Sequence, residues 1–105
     1  MVRGDVHAIA SRKKRGHVQH GRRYAIIVQA DNLLDLSTVV ICPTSQSAIP
    51  ATFHPEVSIA GEPTQVLCEM VGAVDGGAIG EQVAHLTLDE LHAVEEGLQL
   101  VLDLA

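Results

Sequence analysis

Short apolar segments of the length of β-strands occur along most of this chain, and only its last part has a helical period. Strands are predicted over residues 5–10, 24–30, 37–42, 51–59, 64–71 and 82–85. Pro43 is expected to end the third strand, because proline cannot donate to a sheet ladder. Residues 60–63 are predicted to form the turn of a hairpin between the fourth and fifth strands, and residues 74–80 a glycine-rich turn.

The final segment predicts the one helix of the chain. Thr87 and Glu90 have the spacing of a capping box, and the acidic first turn favours the positive end of the helix dipole. An apolar stripe follows at helical spacing, formed by Leu88, Leu91, Val94, Leu98, Val101 and Leu102. Strands first and one helix last predict a mostly β (α+β) fold, a small and partly open β-barrel with a C-terminal α-helix packed on it.

Composition narrows the class of protein. A chain of 105 residues with 47% hydrophobic residues predicts one domain over residues 1–105, with a core of aliphatic side chains because aromatic residues make up only 2%. No apolar run approaches the ~18 residues of a membrane span, and the N-terminus lacks the apolar stretch of a signal peptide. Cys42 and Cys68 belong to no CxxC pair, which predicts buried, reduced thiols in a cytoplasmic protein.

Fixed positive charge is confined to the start of the chain. Six of the seven Lys and Arg residues lie between residues 12 and 24 and the seventh is Arg3, whereas residues 24–105 contain twelve carboxylates and neither Lys nor Arg. The basic segment has no hydrophobic period and contains two glycines, so it is predicted to be a loop. From charge alone, it fits a solvated surface loop, a contact with an acidic partner, or a site for nucleic acid or another polyanion.

A few side chains near this segment have suitable chemistry for a site. Arg23 adjoins an apolar strand, so its side chain is expected to be held by a rigid scaffold, although an ordinary strand-edge arginine has the same pattern. His17 and His20 could exchange protons near neutral pH. No carboxylate is adjacent to them in the sequence, so the pattern does not indicate a metal site. Thr44 and Ser45 follow Pro43 in a position where hydroxyls commonly cap turns.

Several stretches, in this order, resemble the MazF/PemK family of toxin endoribonucleases over nearly the whole chain. They are RGDV at 3–6, GHVQHGRR at 16–23, STVVICPTS at 37–45, and residues 69–75 followed by the glycine-rich turn and the capped helix. The resemblance implies an SH3-like barrel of five or six strands that works as a homodimer. It also implies cleavage of single-stranded RNA without a metal or other cofactor, to 2′,3′-cyclic phosphate and 5′-hydroxyl ends.

The resemblance also assigns residues and a partner. Arg23 matches the family's motif arginine, and Thr44, with Ser45 as second choice, matches its threonine. Because arginine is a poor proton acceptor, Arg23 is interpreted as an electrostatic clamp on the phosphorane. The expected RNA-binding residues are Arg12, Lys13, Lys14, Arg15, His17, Gln19, His20 and Arg22. The expected partner is an antitoxin whose acidic, disordered segment lies across the basic loop.

The chain departs from the family motif at several positions. Val18 and Tyr24 stand where the motif has Glu and Pro, and Met70 and Gly72 stand where a strand usually carries Gln and Arg. These changes leave two other interpretations open. One is a catalytically weak or inactive member that acts by binding, as an antitoxin decoy or on a target such as DNA gyrase. The other is a structural homodimer with a basic loop.

Overall fold

A computed structural model of the protein describes residues 1–9 and 23–104, and within them it contains a curled antiparallel sheet and one long helix. The strands are β1 Asp5–Ile9, β2 Tyr24–Ile27, β3 Thr38–Ser45, β4 Glu56–Ile59, β5 Glu62–Val66, β6 Gly72–Asp75 and β7 Ile79–His85, and the helix is α1 Leu88–Leu102. Single 3₁₀ turns lie at Asp31–Leu33, Cys68–Met70 and Gly76–Ala78.

The order of the strands explains how the sheet curls. Neighbours run β4-β5-β3-β2-β1-β7, and β6 pairs with the first half of β3. β3 pairs through Thr38–Ile41 with β6 and through Thr44 and Ser45 with β5. One long strand thus joins two parts of the sheet. This confirms the predicted mostly β, partly open barrel with a terminal helix, with seven strands among the described residues where five or six were expected.

The prediction that Pro43 ends the third strand is wrong. β3 continues through Pro43 to Ser45, and Pro43 lies opposite Ala25 of β2. The Pro43 carbonyl accepts a hydrogen bond from the Leu67 amide at 2.9 Å, on the side where β3 changes partner from β6 to β5. In a strand, the amide and carbonyl of one residue point to the same side. The missing N–H therefore falls at a break in the ladder, where it removes no strand-to-strand hydrogen bond.

The predicted hairpin exists but is shorter than expected. β4 and β5 are joined at Ala60 and Gly61, which have φ angles of 53° and 80°. Two consecutive residues with positive φ form the type of turn that matches the twist of a hairpin, although this conformation is unusual for Ala60. Residues 67–71, expected to extend the second strand, instead enter a 3₁₀ turn. The glycine-rich segment contains the start of β7 and the end of the unpredicted β6.

Apolar side chains form two clusters on opposite faces of the sheet. The larger lies between the sheet and α1 and includes Val6, Ile26, Val57, Val66 and Val94. The smaller occupies the other face and consists of Ala25, Ile27, Val39 and Ile41. Because side chains alternate along a strand, β2 and β3 contribute to both clusters. The alternation also determines which polar side chains share a face at the ends of the strands.

The terminal helix begins as predicted. Thr87 accepts a hydrogen bond from the Glu90 amide, and Glu90 accepts one from the Thr87 amide, which completes the capping box. The second carboxylate oxygen of Glu90 accepts from the Ser58 amide at 2.8 Å and so covers the outer edge of β4. The expected apolar stripe is wrong at its ends, since Leu88 is 68% and Leu102 49% exposed.

The two cysteines confirm the prediction of buried thiols. Both are free, and neither is exposed to solvent. A hydrogen bond with the Cys68 thiol, together with burial, raises the pKa of Cys42 far above its ordinary value. The Cys68 sulfur also lies 3.8 Å from the Val94 carbonyl of α1. The two thiols are therefore part of the packing between β3 and the helix. None of the described helices is long and apolar enough to cross a membrane.

Candidate active site

All eight predicted RNA-binding residues lie outside the described part of the chain. Those residues are Arg12, Lys13, Lys14, Arg15, His17, Gln19, His20 and Arg22. Their role stays a prediction from the sequence. The structure does describe the three residues that were assigned to catalysis, namely Arg23, Thr44 and Ser45.

Arg23 directly precedes β2. Its carbonyl accepts a hydrogen bond from the Ile9 amide at 3.3 Å, which extends the β1–β2 ladder by one residue. The residue is exposed. Alternation along the strand places its side chain on the same face as Ala25, which belongs to the smaller apolar cluster. Arg23 is thus presented to solvent from a sheet rather than from a free loop.

Thr44 faces the opposite side of the sheet. It is only 3% exposed, and its hydroxyl donates to the carbonyl of Tyr24 at 3.3 Å. The ladder between β2 and β3 pairs Ala25 with Pro43, and its next step brings Tyr24 opposite Thr44. The Thr44 hydroxyl is therefore buried on the side of the larger apolar cluster and already has an acceptor.

Ser45 lies on the face that Arg23 occupies. A further step of the same β2–β3 register places Arg23 directly across from Ser45, and side chains at such opposed positions are about 5 Å apart at Cβ. Ser45 is partly exposed, and its oxygen accepts a hydrogen bond from the Ser47 amide at 3.2 Å. The Ser45 and Ser47 hydroxyl oxygens are 3.3 Å apart. The structure therefore brings together Arg23 and Ser45, and separates both from the Thr44 hydroxyl.

Two polar residues that the sequence did not single out continue this arrangement. Ser45 pairs with Gln65 of β5, and Gln65 pairs with Glu56 of β4. We call Arg23, Ser45, Gln65 and Glu56 the polar row, since they occupy opposed positions on four adjacent strands. Gln65 is 6% exposed, and its amide donates to the Glu56 carboxylate at 3.3 Å, while Glu56 is exposed. No local sequence signal identifies these two residues, because their position beside Ser45 depends on the pairing of β3, β5 and β4.

His54 holds the loop between β3 and β4, which follows Ser45 in the chain. The His54 ring lies between the Ile49 carbonyl at 2.8 Å and both carboxylate oxygens of Glu69 at 2.8 and 2.9 Å. Both acceptors favour a doubly protonated ring. The Glu69 hydrogen bond, followed by that to Ile49, raises the pKa of His54, and the His54 hydrogen bond lowers the pKa of Glu69. The ion pair joins the β3–β4 loop to the turn after β5.

A second group of titratable side chains lies at the β1–β7 edge. The buried carboxylate of Asp5 accepts hydrogen bonds from Gln82 at 3.0 Å and from His85 at 2.7 Å. The protonated Nδ1 of His7 donates to the Gly80 carbonyl at 2.9 Å. Burial opposes ionisation of Asp5, but the Val2 amide and His85 outweigh it and lower the Asp5 pKa. This group holds the edge strand, far along β1 from the polar row.

The seventh basic residue has a structural place. The Arg3 guanidinium forms an ion pair with Glu95 of α1 and donates to the Val28 carbonyl, and the Arg3 amide donates to Asp31. Arg3 thereby ties the N-terminus to the end of β2 and to the helix. Across residues 1–9 and 23–104, no three His, Cys, Asp or Glu side chains are grouped to hold a metal ion.

A family model described as PemK-like, MazF-like toxin of type II toxin–antitoxin system matches residues 2–102. A Mycobacterium tuberculosis protein named as a candidate toxin is 34% identical over 106 residues, which cover 99% of each chain.

Solved structures show the same fold at low sequence identity. An endoribonuclease in complex with its cognate antitoxin, from a mycobacterial species, has a TM-score of 0.80 at 14% identity over 100% of this chain and 97% of that one. The toxin MazF-mt6 of Mycobacterium tuberculosis has a TM-score of 0.77 at 16% identity, over 96% of this chain and 98% of that one. A MazE–MazF structure from Deinococcus radiodurans has a TM-score of 0.77 at 23% identity, over 100% of this chain and 97% of that one.

Proposed function

The chain belongs to the PemK-like, MazF-like family of toxins from type II toxin–antitoxin systems, and we propose that it is a metal-independent endoribonuclease for single-stranded RNA. The observation that carries this proposal is the β2–β3 register, whose continuation by two residues from the Ala25–Pro43 pair brings Arg23 across from the partly exposed Ser45. A fixed cation opposite a hydroxyl is an arrangement that binds a phosphodiester in a defined orientation.

The proposed reaction uses these two side chains, the substrate, and a proton acceptor and donor that solvent can supply. The ribose 2′-hydroxyl loses its proton to solvent or a nearby base and attacks the adjacent phosphorus, and the bond to the 5′-oxygen breaks. The products are a 2′,3′-cyclic phosphate and a 5′-hydroxyl that takes up a proton. Negative charge grows on the non-bridging oxygens in the transition state. Arg23 neutralises that charge, and hydrogen-bond donors at such positions contribute about 10²–10³ in rate.

Ser45 supplies the hydroxyl in this proposal and Thr44 does not. The Ser45 oxygen accepts from the Ser47 amide, and when the Ser47 hydroxyl is the donor in the Ser45–Ser47 pair, the Ser45 hydrogen is available for a phosphate oxygen. The Thr44 hydroxyl is buried and donates to Tyr24. Thr44 instead fixes the end of β3, so that the residue after it meets Arg23 in the right register.

The test is a fluorogenic single-stranded RNA assay in EDTA with matched variants. Wild-type protein should cleave, Arg23→Ala should abolish cleavage, and Ser45→Ala should slow it about 10²–10³-fold. Thr44→Val is the control, since it removes a hydroxyl one residue away on the other face and should retain most activity. Cleavage that requires an added metal, or that survives Arg23→Ala, would contradict the mechanism.

The partners in this proposal follow from charge and family. We propose that a homodimer acts in the cytoplasm and that its cognate antitoxin places an acidic, disordered segment across residues 12–23, in competition with RNA. Binding of such a segment should weaken as salt is raised, since exposed charges are screened. Antitoxin binding that is independent of ionic strength would argue against this contact.

A second candidate function is inhibition of a target by binding alone. It is favoured by Met70 and Gly72, which are exposed where the motif has Gln and Arg, so that an RNA groove there loses polar groups. The two functions differ in their dependence on Arg23. Growth arrest in cells that express Arg23→Ala at wild-type levels would favour the binding function, and loss of arrest would favour cleavage.

A further inference from the structure

The polar row extends beyond the two residues that the proposed reaction uses. Ser45, Gln65 and Glu56 occupy opposed positions on β3, β5 and β4. Adjacent strands lie 4.7–4.9 Å apart, so Glu56 is about 10 Å from Ser45 across the sheet. At this distance it lies beyond a phosphate bound at Ser45, where a neighbouring nucleotide of the same RNA strand would be.

Gln65 orients the Glu56 side chain. The Gln65 amide is almost completely buried, and its nitrogen donates to one carboxylate oxygen of Glu56 at 3.3 Å. The other oxygen of the exposed Glu56 keeps both of its lone pairs for a ligand. The side chain is therefore held by a buried partner and still presents acceptors to the face that Arg23 and Ser45 share.

A carboxylate in this place has an unusual consequence for an RNA site. It repels phosphate groups, so it lowers the affinity for the RNA backbone. It can only accept hydrogen bonds, and carboxylates recognise bases through amino and imino N–H donors. Guanine presents two adjacent donors on its Watson–Crick edge, whereas uracil presents a single N–H between two carbonyl acceptors, which a carboxylate repels.

We propose that Glu56, oriented by Gln65, determines base specificity by favouring guanine and rejecting uracil at a nucleotide next to the cleaved bond. This inference rests on the proposed ribonuclease function and adds a specificity residue to it. Glu56 is the residue that contacts the base, and Gln65 is a positioning residue. The prediction is that loss of the Glu56 charge relaxes the choice of base at that nucleotide more than it changes the choice at any other position.

The experiment digests a randomised single-stranded RNA library and sequences the 5′-hydroxyl ends. For wild-type protein, one position beside the cleaved bond should favour guanine over uracil, and Glu56→Gln should reduce that preference roughly tenfold or more. Gln65→Met should reduce the guanine preference in part and leave the base preferences at the other nucleotides unchanged. Glu62→Gln, which removes a carboxylate from the opposite face of β5, should leave it unchanged. Identical base distributions for wild type and Glu56→Gln would overturn the inference.

Failure of the proposed function would be seen separately. If wild-type protein produced no 5′-hydroxyl ends above the Arg23→Ala background, the ribonuclease proposal would fall. The base preference would then be measured by fluorescence anisotropy with 2′-O-methyl oligonucleotides that differ at one base. A guanine preference that disappears in Glu56→Gln would support the role of Glu56, and equal affinities for all four bases would refute it.

Discussion

Thr44 and Ser45 are adjacent in the chain and chemically alike, yet the pleat of β3 directs them to opposite faces of the sheet. The sequence alone favours neither hydroxyl, because both follow Pro43 at what reads as a strand end. The continuation of β3 through Pro43 decides the matter, since it fixes Thr44 opposite Tyr24 and Ser45 opposite Arg23. The role of a single residue here depends on its register rather than on its type.

This difference predicts separate effects on stability and activity. Thr44→Val removes the hydroxyl that donates to Tyr24 while keeping the shape, and it should lower the free energy of unfolding by about 1 kcal/mol. Ser45→Ala removes a partly exposed hydroxyl and should change that free energy by less than about 0.5 kcal/mol. Urea unfolding followed by circular dichroism measures both. A large loss of stability in Ser45→Ala would show that its effect on cleavage is indirect.

The His54–Glu69 ion pair predicts a pH-dependent contribution to stability. The pKa of His54 is raised above its ordinary 6.5, so the stabilisation is complete below that pH and is lost as pH rises through the folded-state pKa. The pKa of Glu69 is lowered from 4.5, so the stabilisation is present above that pH and is lost as pH falls through its folded-state value. The pair should therefore contribute most between about pH 4.5 and 6.5.

Glu69→Gln tests this window by removal of the charge at constant shape. The difference in melting temperature from wild type should be clear at pH 5.5 and should shrink above pH 8. The effect should correspond to less than about 1 kcal/mol, because the Glu69 side chain is 41% exposed. Glu62→Gln serves as the control on an exposed strand position. A Glu69→Gln difference that grew with pH would contradict the assigned protonation.

At the level of the elements, α1 is held against the sheet by a very close contact at Gly97. A Cβ at this position would lie 2.7 Å from the Cys68 sulfur and 3.2 Å from the Thr52 carbonyl. Neither neighbour can move easily, since Cys68 is completely buried and bonded to the Val94 carbonyl. The glycine therefore determines how near the helix approaches the turn after β5.

Gly97→Ala should destabilise the protein although alanine is the better helix former. The gain in helix propensity is about 1 kcal/mol, whereas overpacking of a buried contact costs about 1–3 kcal/mol, so the variant should be less stable by up to about 2 kcal/mol. Gln99→Ala on the exposed part of the same helix should be neutral or slightly stabilising. Chemical denaturation of the three proteins measures the differences. Increased stability of Gly97→Ala would show that the helix can shift.

The sequence predicted those elements whose signals are local. The capping box located the start of α1, and alternating apolar positions located the buried centres of β1, β2 and β3. Prediction from the sequence failed where an element depends on a contact with a segment far away in the chain. Pro43 remains in a strand because the ladder breaks beside it, and β6, rich in small residues, is a strand because β3 pairs with it. Gln65 joins the site only through the register of non-adjacent segments, which no local pattern contains.

For the whole molecule, the separation of charge is the dominant property. The chain carries a net charge of −6, and the described residues retain only Arg3 and Arg23 among its Lys and Arg residues. Arg3 is engaged by Glu95, Val28 and Asp31. In the proposed ribonuclease, electrostatic attraction for RNA is therefore expected chiefly from the basic residues at positions 12–23, against repulsion by the acidic rest of the chain.

This arrangement predicts that salt dependence follows local and not net charge. Binding of single-stranded nucleic acid releases about 0.7 counterion for each phosphate neutralised, so replacement of Arg12, Lys13, Lys14 and Arg15 by Gln should reduce the slope of log K against log salt by about 3. The matched control removes exposed negative charges on α1, with Asp89→Asn and Glu96→Gln. It should raise affinity slightly and leave the slope unchanged, because the number of phosphate contacts is the same. Anisotropy titrations with a 2′-O-methyl RNA at several salt concentrations give both slopes. If the basic segment were only a solvated loop, the Gln variant would keep the wild-type slope, and the positive charges would have no part in holding RNA at the polar row.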